Sequence, residues 1–233
     1  MTNRKICITG ASKGIGQAEA NLLSKDHELF LHASKLESFK KQNSKNKIHT
    51  FGYDFSKMEE VSKFTKELIS TTDNLDVLIN NVGVMEIQKI ENFTDDAIAK
   101  MININLHSHI LLTKKLLPLL LKSKDPHIIF MSSMSAKNRI IGESVYAATK
   151  AGIMQFAHAL RYELAGKIRV STIHSWGVNT WNDTENAAIL TPENIAETVA
   201  FILNRKRPFL VESIELGHEN HWNGASAPWS PKT

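Results

Sequence analysis

Tyr146 and Lys150 stand four residues apart in the segment SVYAATKAG, residues 144–152. Residues at that spacing share one face of a helix. A phenol beside an ammonium can give a proton to a carbonyl oxygen while a hydride reaches the carbon, and can take the proton back in the reverse direction. Free tyrosine, with a pKa of about 10, is poorly matched to such a transfer near neutrality. A nearby ammonium stabilises the phenolate, and bringing the phenol close to neutral takes roughly 4 kcal/mol of differential interaction. Taken alone, a Tyr and a Lys at i and i+4 are also an ordinary helix-surface pair.

A hydride needs a carrier, and the other end of the chain offers a place for one. TGASKGIG, residues 9–16, carries glycines at 10, 14 and 16 between the β-branched run KICITG and the helix-periodic IGQAEANLLSK. Glycines at a strand-to-helix junction let a pyrophosphate approach free backbone amides at a helix N-terminus. The same glycines would also serve a tight turn, so the triplet gains meaning only from its flanks.

The elements that must position these groups alternate. Strand-like runs follow at 28–33, 47–53, 75–80, 127–132, 167–174 and 209–216, with helical patterns between them. Among those patterns are SKMEEVSKFTKELIS and TPENIAETVAFILN, the latter opened by Thr191 as N-cap and Pro192 at the first helical position. Strand and helix in alternation predict a single-domain, Rossmann-like, doubly wound parallel sheet with helices on both faces. No repeat or linker divides residues 1–233, and 217–233 form a C-terminal tail. In such a sheet ligands sit at the carboxyl ends of the strands, where strand order reverses.

With these residues in place the chain resembles the short-chain dehydrogenase/reductase family, whose cofactor loop has the form TGxxxGxG. NNVG, residues 80–83, stands where the family has NNAG; Tyr146 and Lys150 form its YxxxK; Ser133 precedes the tyrosine by thirteen residues; and Asn105 matches the family's helix asparagine. The motifs occur in order over residues 5 to about 205. The resemblance implies Tyr146 as general acid or base, with Lys150 assisting it and binding the nicotinamide ribose. It further implies that Ser133 hydrogen-bonds the substrate oxygen, with Ser132 its rival, and that Asn105 holds a water linking Lys150 to solvent. It implies cofactor contacts at Gly10, Ser12, Lys13, Gly14, Ile15 and Gly16, then at Asp54, Phe55, Asn81, Val82, Gly83, Val178 and Thr180. Asp54 would meet the adenine; its alternative role is to cap the helix after it.

Cofactor choice turns on the end of the second strand, where an acid would bind the ribose and repel a 2′-phosphate. HASK, residues 32–35, has none. Lys13, Ser34 and Lys35 suit that phosphate, although Ser34 stands where many NADP-dependent relatives carry arginine. NADP(H) is favoured and NAD(H) stays open.

The pattern departs at residues 173–180, IHSWGVNT, where Ser175 and Trp176 stand in place of a Pro-Gly pair, so that either the nicotinamide shelf is reshaped by the bulk of Trp176 or Gly177 takes over the turn. Val82 replaces the alanine of NNAG. Only residues 181–190 separate Thr180 from the next helix, a short lid, with Trp181 facing the cleft or serving as packing.

Composition narrows the classes. Hydrophobic residues make up 42% and charged residues 22%, which fits a globular chain. The longest apolar stretch, HILLTKKLLPLLLKS, is interrupted by Lys114, Lys115 and Pro118 and is too short for a bilayer, and the N-terminus has no signal-peptide run, so a cytoplasmic location without membrane contact is the expectation. Cys7 is the only cysteine, which excludes an intrachain disulfide and any multi-cysteine metal site. His218, Glu219 and His221 lack a metal-ligand spacing, so no metal is expected. The basic runs at 34–49 and 204–208 lack aromatic interleaving and read as solvated faces, not as a nucleic-acid surface. The sequence therefore points to an oxidoreductase acting on a small-molecule or carrier-bound carbonyl or alcohol, assembled by resemblance as a homodimer or homotetramer. The alternative is a dinucleotide-binding sensor or interaction protein of the same fold that turns over weakly.

Overall fold

In the computed structural model, which describes residues 3–39, 45–180 and 189–219, every neighbouring pair of strands runs parallel. The strands are β1 (Lys5–Ile8), β2 (Glu28–Ala33), β3 (Ile48–Gly52), β4 (Val77–Asn80), β5 (His127–Met131), β6 (Arg169–Ser175) and β7 (Ser213–Leu216). Their order in the sheet is β3-β2-β1-β4-β5-β6-β7, so the direction of winding reverses between β1 and β4. That reversal opens a crevice at the strands' carboxyl ends.

Successive side chains of a strand face opposite sides of the sheet, and both sides here are covered. Cys7, Phe30, Leu78, Ile128, Phe130 and Val170 belong to one buried cluster with Val61, Phe64 and Leu68 of α2 (Met58–Thr71). Leu112 and Leu116 of α4 (Ser108–Leu120) and Ile153 and Ala157 of α5 (Ser144–Glu163) complete it. The alternate residues Ile6, Ile8, Leu29, Val77, Ile79 and Ile129 pack instead with Ala20 and Leu23 of α1 (Gly14–Leu23) and Val199 of α6 (Pro192–Leu203). Among the described residues no helix is long and apolar enough to cross a membrane.

Helix α6 starts as its sequence predicts, with Pro192 at its first position and a capping box in which Thr191 and Asn194 satisfy each other's backbone amides. Helix α3 (Asp95–Ile102), capped by Thr94, runs into α4 through a π-helical turn at Asn103–His107 that contains Asn105. The last strand is shorter than the predicted 209–216. Only Ser213–Leu216 pairs with β6, and Phe209 is exposed, so an apolar run before the strand is not part of the ladder. The short-lid reading and Trp181 fall mostly on 181–188, outside the described residues, as does the tail beyond 219.

Candidate active site

The glycine loop is held from behind by the loop after β4. Thr9 Oγ1 accepts hydrogen bonds from the amides of Asn81 and Val82, each at 3.0 Å, and Asn81 Nδ2 donates to the carbonyls of Thr9 (2.8 Å) and Gly10 (3.3 Å). Gly16 is what permits this approach: a Cβ there would lie 2.4 Å from the Gly10 oxygen and 2.6 Å from Asn81 Nδ2. Gly14 adopts φ +55°, with Thr180 at its back.

The side of the loop toward β2 rests on His32. Its Nδ1 accepts from the Gly10 amide at 3.3 Å, its carbonyl accepts from the Ala11 amide at 2.8 Å, and its Nε2 bonds the Tyr53 carbonyl at 2.8 Å. These bonds assign the proton to Nε2. The ring stacks on Phe55 at 3.6 Å, and burial pushes its pKa down to about 4, so it is neutral at physiological pH. No carboxylate stands at the end of β2.

A cavity of about 820 Å³ opens at the β1/β4 reversal. Gly10, Ser12, Lys13, Gly14 and Ile15 line one end with Ser34, Asp54 and Phe55. Asn81, Val82 and Gly83 line the middle, Ser133, Tyr146 and Lys150 the other end, and Val178 and Thr180 close one side. Three expected residues are not on its wall. Gly16 lies behind the loop, Lys35 is exposed beyond the lining, and Asn105 is wholly buried beneath it. Asp54 lines the cavity, and its Oδ1 accepts from the Ser56 amide; the capping role weighed for it is not the one it has, because α2 begins at Met58 after Lys57 with no side-chain cap. Burial alone would raise its carboxyl, but the Ser56 bonds and the charges of Lys57 and Lys100 hold it below its ordinary range.

Helix α5 carries Tyr146 and Lys150 on one face as the spacing predicts, but their electrostatics depart from expectation. Lys150 Nζ lies 5.6 Å from the Tyr146 ring centroid and donates to the Met131 carbonyl at 2.9 Å. The lysine is 4% exposed, and burial lowers its pKa to about 8. The phenol is not lowered by it. Burial pushes Tyr146 up to about 12; Ser133 works in the opposite direction, and the charge of Glu143 adds to the rise. Desolvation disfavours both charged forms and outweighs the attraction between them.

Asn105 also departs from its expected role. Its Oδ1 accepts from the Val84 amide, and its Nδ2 donates to the Val84 carbonyl, both at 2.8 Å, and to Thr149 Oγ1 at 3.2 Å. The side chain thus fixes the strand-end loop beneath the cavity. A Cβ on Gly83 would lie 3.5 Å from both Asn105 Oδ1 and Lys150 Nζ, so this glycine keeps the lysine's surroundings open.

Ser132, the rival of Ser133, donates to the Lys150 carbonyl at 3.2 Å. Ser133 lines the same cavity as Tyr146. It is also joined to residues that sequence reasoning passed over: its Oγ donates to Ser135 Oγ at 3.0 Å and accepts from the Ser135 amide at 3.1 Å, while Ser135 Oγ donates to Glu143 Oε2 at 2.6 Å. Glu143, 1% exposed, and Ser135 both line the cavity. No spacing rule marks this pair, because the bond joins a turn after β5 to the residue before α5.

The substituted Ser175 and Trp176 continue the sheet. Ser175 pairs with Leu216, and the Trp176 amide donates to the Leu216 carbonyl at 2.9 Å. Space for the indole comes from Gly217, where a Cβ would approach Trp176 Cδ1 to 3.1 Å. Trp176 and Gly177 both line the cavity. Among the described residues no three His, Cys, Asp or Glu side chains form a group able to hold a metal; His221 lies outside them.

A family model described as short chain dehydrogenase matches residues 4–188. The chain is 30% identical over 226 residues to an uncharacterized oxidoreductase of Staphylococcus aureus strain MRSA252, covering 93% of this chain and 97% of that protein. Among solved structures it is similar to an alcohol dehydrogenase of the archaeon Thermococcus sibiricus complexed with 5-hydroxy-NADP, with TM-score 0.86, 24% identity and coverage of 93% and 97%. A metagenomic short-chain oxidoreductase in complex with NADP gives TM-score 0.80 at 23% identity, covering 92% of this chain and 97% of that one.

Proposed function

The chain belongs to the short-chain dehydrogenase family of oxidoreductases, and from that premise we propose that it interconverts a carbonyl and an alcohol with NADP(H), Tyr146 acting as the general acid and base. The observation that carries this reading is a single cavity that holds the glycine cradle at one end and Ser133, Tyr146 and Lys150 at the other. A nicotinamide dinucleotide fits the residues present. The loop before α1 offers backbone amides to a pyrophosphate, and Gly83 leaves room beside Lys150 for a ribose. Bound there, the cofactor supplies or accepts the hydride.

The chain's own residues do the remaining work. Tyr146, protonated throughout the physiological range, holds the proton for the carbonyl oxygen. Among the described residues the Lys150 ammonium has no carboxylate partner and is fixed by the Met131 carbonyl. Lys13 and Ser34 face the cavity where a 2′-phosphate would lie, and the neutral His32 adds no repulsion. The bound NADP of the metagenomic oxidoreductase and the 5-hydroxy-NADP of the archaeal enzyme support the same preference. The substrate is a small-molecule or carrier-bound carbonyl or alcohol, and assembly as a homodimer or homotetramer belongs to the same proposal.

The test is a titration with NADPH and with NADH, followed by reduced-nicotinamide fluorescence. The expected result is NADPH binding at least about tenfold tighter, a difference of about 1.4 kcal/mol. The reverse preference overturns the cofactor assignment, and binding of neither overturns the oxidoreductase reading. A second reading, a dinucleotide-binding sensor with weak turnover, draws on the raised phenol and on the Lys150 ammonium turned to a carbonyl. Tight NADPH binding with no turnover across a panel of aldehydes, ketones and 3-oxoacyl thioesters would favour it.

A further inference from the structure

We propose that Glu143 is a specificity-determining residue that selects a substrate carrying an ammonium group a few bonds from its reacting carbon: an amino alcohol, or the matching amino ketone or aldehyde. The inference rests on the oxidoreductase reading above and names the substrate class of that same site. It begins from spacing. Glu143, the residue before α5, stands at i to Tyr146 at i+3 and Lys150 at i+7, positions that share one helix face, and all three line the cavity. That face presents a carboxylate, then the phenol, then an ammonium, in order along α5.

A carboxylate at the N-cap of a helix ordinarily turns back to accept from that helix's own amides. Glu143 makes no such bond to α5, and its Oε2 accepts instead from Ser135 Oγ at 2.6 Å. Its backbone is locked in place. The Glu143 amide donates to the Ile140 carbonyl at 3.3 Å, its carbonyl accepts from the Ala147 amide at 2.7 Å, and the Gly142 carbonyl accepts from the Gln88 amide at 3.0 Å. Gly142, at φ +84°, brings Ile87 so close that a Cβ would lie 2.9 Å from its Cγ2. Ile87 and Ile140 line the cavity as well, so the carboxylate stands among apolar walls where charge is weakly screened. Its 1% exposure is in keeping with Lys150 at 4% and Ser133 at 9%, which line the same narrow end.

Lys150 repels a cation, and position decides the balance. Its Nζ is drawn to the Met131 carbonyl of β5 at 2.9 Å, and it sits about 10 Å further along the α5 axis than Glu143. With the substrate oxygen at Tyr146, an ammonium two carbons away can reach toward Glu143, since Cβ atoms at i and i+3 lie about 5–6 Å apart. Trp176 brings an indole to the same cavity, a surface on which alkylated ammonium groups pack favourably. A substrate carboxylate in that place meets like charge.

Choline and 3,3-dimethylbutan-1-ol, alcohols of the same shape that differ in the charge at one atom, are the probes. Their binding to the full chain is measured by calorimetry without nucleotide. No turnover enters the reading, so its failure is distinct from failure of the oxidoreductase assignment, which the NADPH titration reads. Choline is expected to bind at least about tenfold tighter than its neutral isostere. Glu143→Gln, which keeps the side chain's shape and an acceptor for Ser135, is expected to bring the two affinities together. Should Glu143→Gln fail to fold, Glu143→Met is read in its place. Equal affinity in the wild-type protein, no detectable binding of either probe, or a choline preference that outlives loss of the carboxylate overturns the proposal.

Discussion

The two ends of the parallel sheet treat charge in opposite ways. At the amino end, where β5 and β6 begin, Asp125 receives Arg4 at 2.8 Å, Arg169 at 2.8 Å and Arg207 at 3.2 Å. The guanidiniums spend their other donors on carbonyls: Arg4 on Leu203, Arg169 on Arg205, and Arg207 on Gly166 and Lys167. Nearby, Asp76 accepts the Lys5 amide at 2.8 Å. At the carboxyl end, Lys150 is buried and donates to a carbonyl, and the phenol and Glu143 line one cavity; along α1, Glu19 is buried with both carboxylate oxygens unpartnered among the described residues. Carboxylate-paired charge ties the strand starts together, even with Arg169 Nε left buried without a partner among the described residues, whereas the buried ammonium at the cavity is held by a carbonyl.

The largest effect should come from the reacting group. Tyr146→Phe is expected to lower kcat by about 10⁴-fold on any carbonyl the protein reduces, with NADPH affinity kept within a few-fold. Steady-state rates beside fluorescence titrations check this, and equal turnover would remove the contrast between the ends.

Glu19 gives the next effect, and it depends on pH. Its carboxyl is fully buried, and burial raises it from 4.5 to about 8. The native state therefore holds a proton that the unfolded chain releases, so stability falls as pH rises from 4.5 toward 8. By that linkage the full cost is on the order of 5 kcal/mol above about pH 8. Glu19→Met is expected to recover about 3 kcal/mol there, since the native state relaxes around a buried charge, and progressively less toward pH 4.5. Urea midpoints across that range provide the measurement; a gain independent of pH would mean that methionine only packs better.

Asp125→Ala probes the satisfied end. It leaves three guanidiniums without their shared acceptor and should cost about 2 kcal/mol, less than for a fully buried pair because Asp125 is 33% exposed. A lower urea midpoint with an unchanged slope and unchanged NADPH affinity is the expected outcome. The smallest effect tests a satisfied device on the site's own side. Thr191→Ala removes the cap that accepts the Asn194 amide and should cost about 1 kcal/mol in thermal or urea unfolding.

Much of this molecule is legible in the chain because much of it is local. Strand β2 matches its predicted span, and the predicted starts of β5 and α6 hold, since alternation, capping and turn residues act within a few positions. The glycine loop and the Tyr146–Lys150 face are legible for the same reason. Long-range desolvation is not. The burial that raises Tyr146 and lowers Lys150 reverses the expected effect of their spacing. Glu19 sits in a helix whose sequence gives no sign that a carboxylate faces inward. Ser135 and Glu143, eight positions apart in an irregular stretch, gain their relation from the return of α5 against β5. Trp176 reads as an intrusion until Gly217, forty-one residues later, is seen to make room for it.

The arrangement of Asn81, Thr9 and Gly16 behind the cradle has a practical consequence for redesign. The side-chain bonds that shape the loop come from Thr9, Asn81 and His32, while the side chains of Lys13 and Ser34 line the cavity. On the proposed reading, shape and selectivity would be set by separate residues. Ser34→Asp would then shift the nucleotide preference while leaving the loop's scaffold intact.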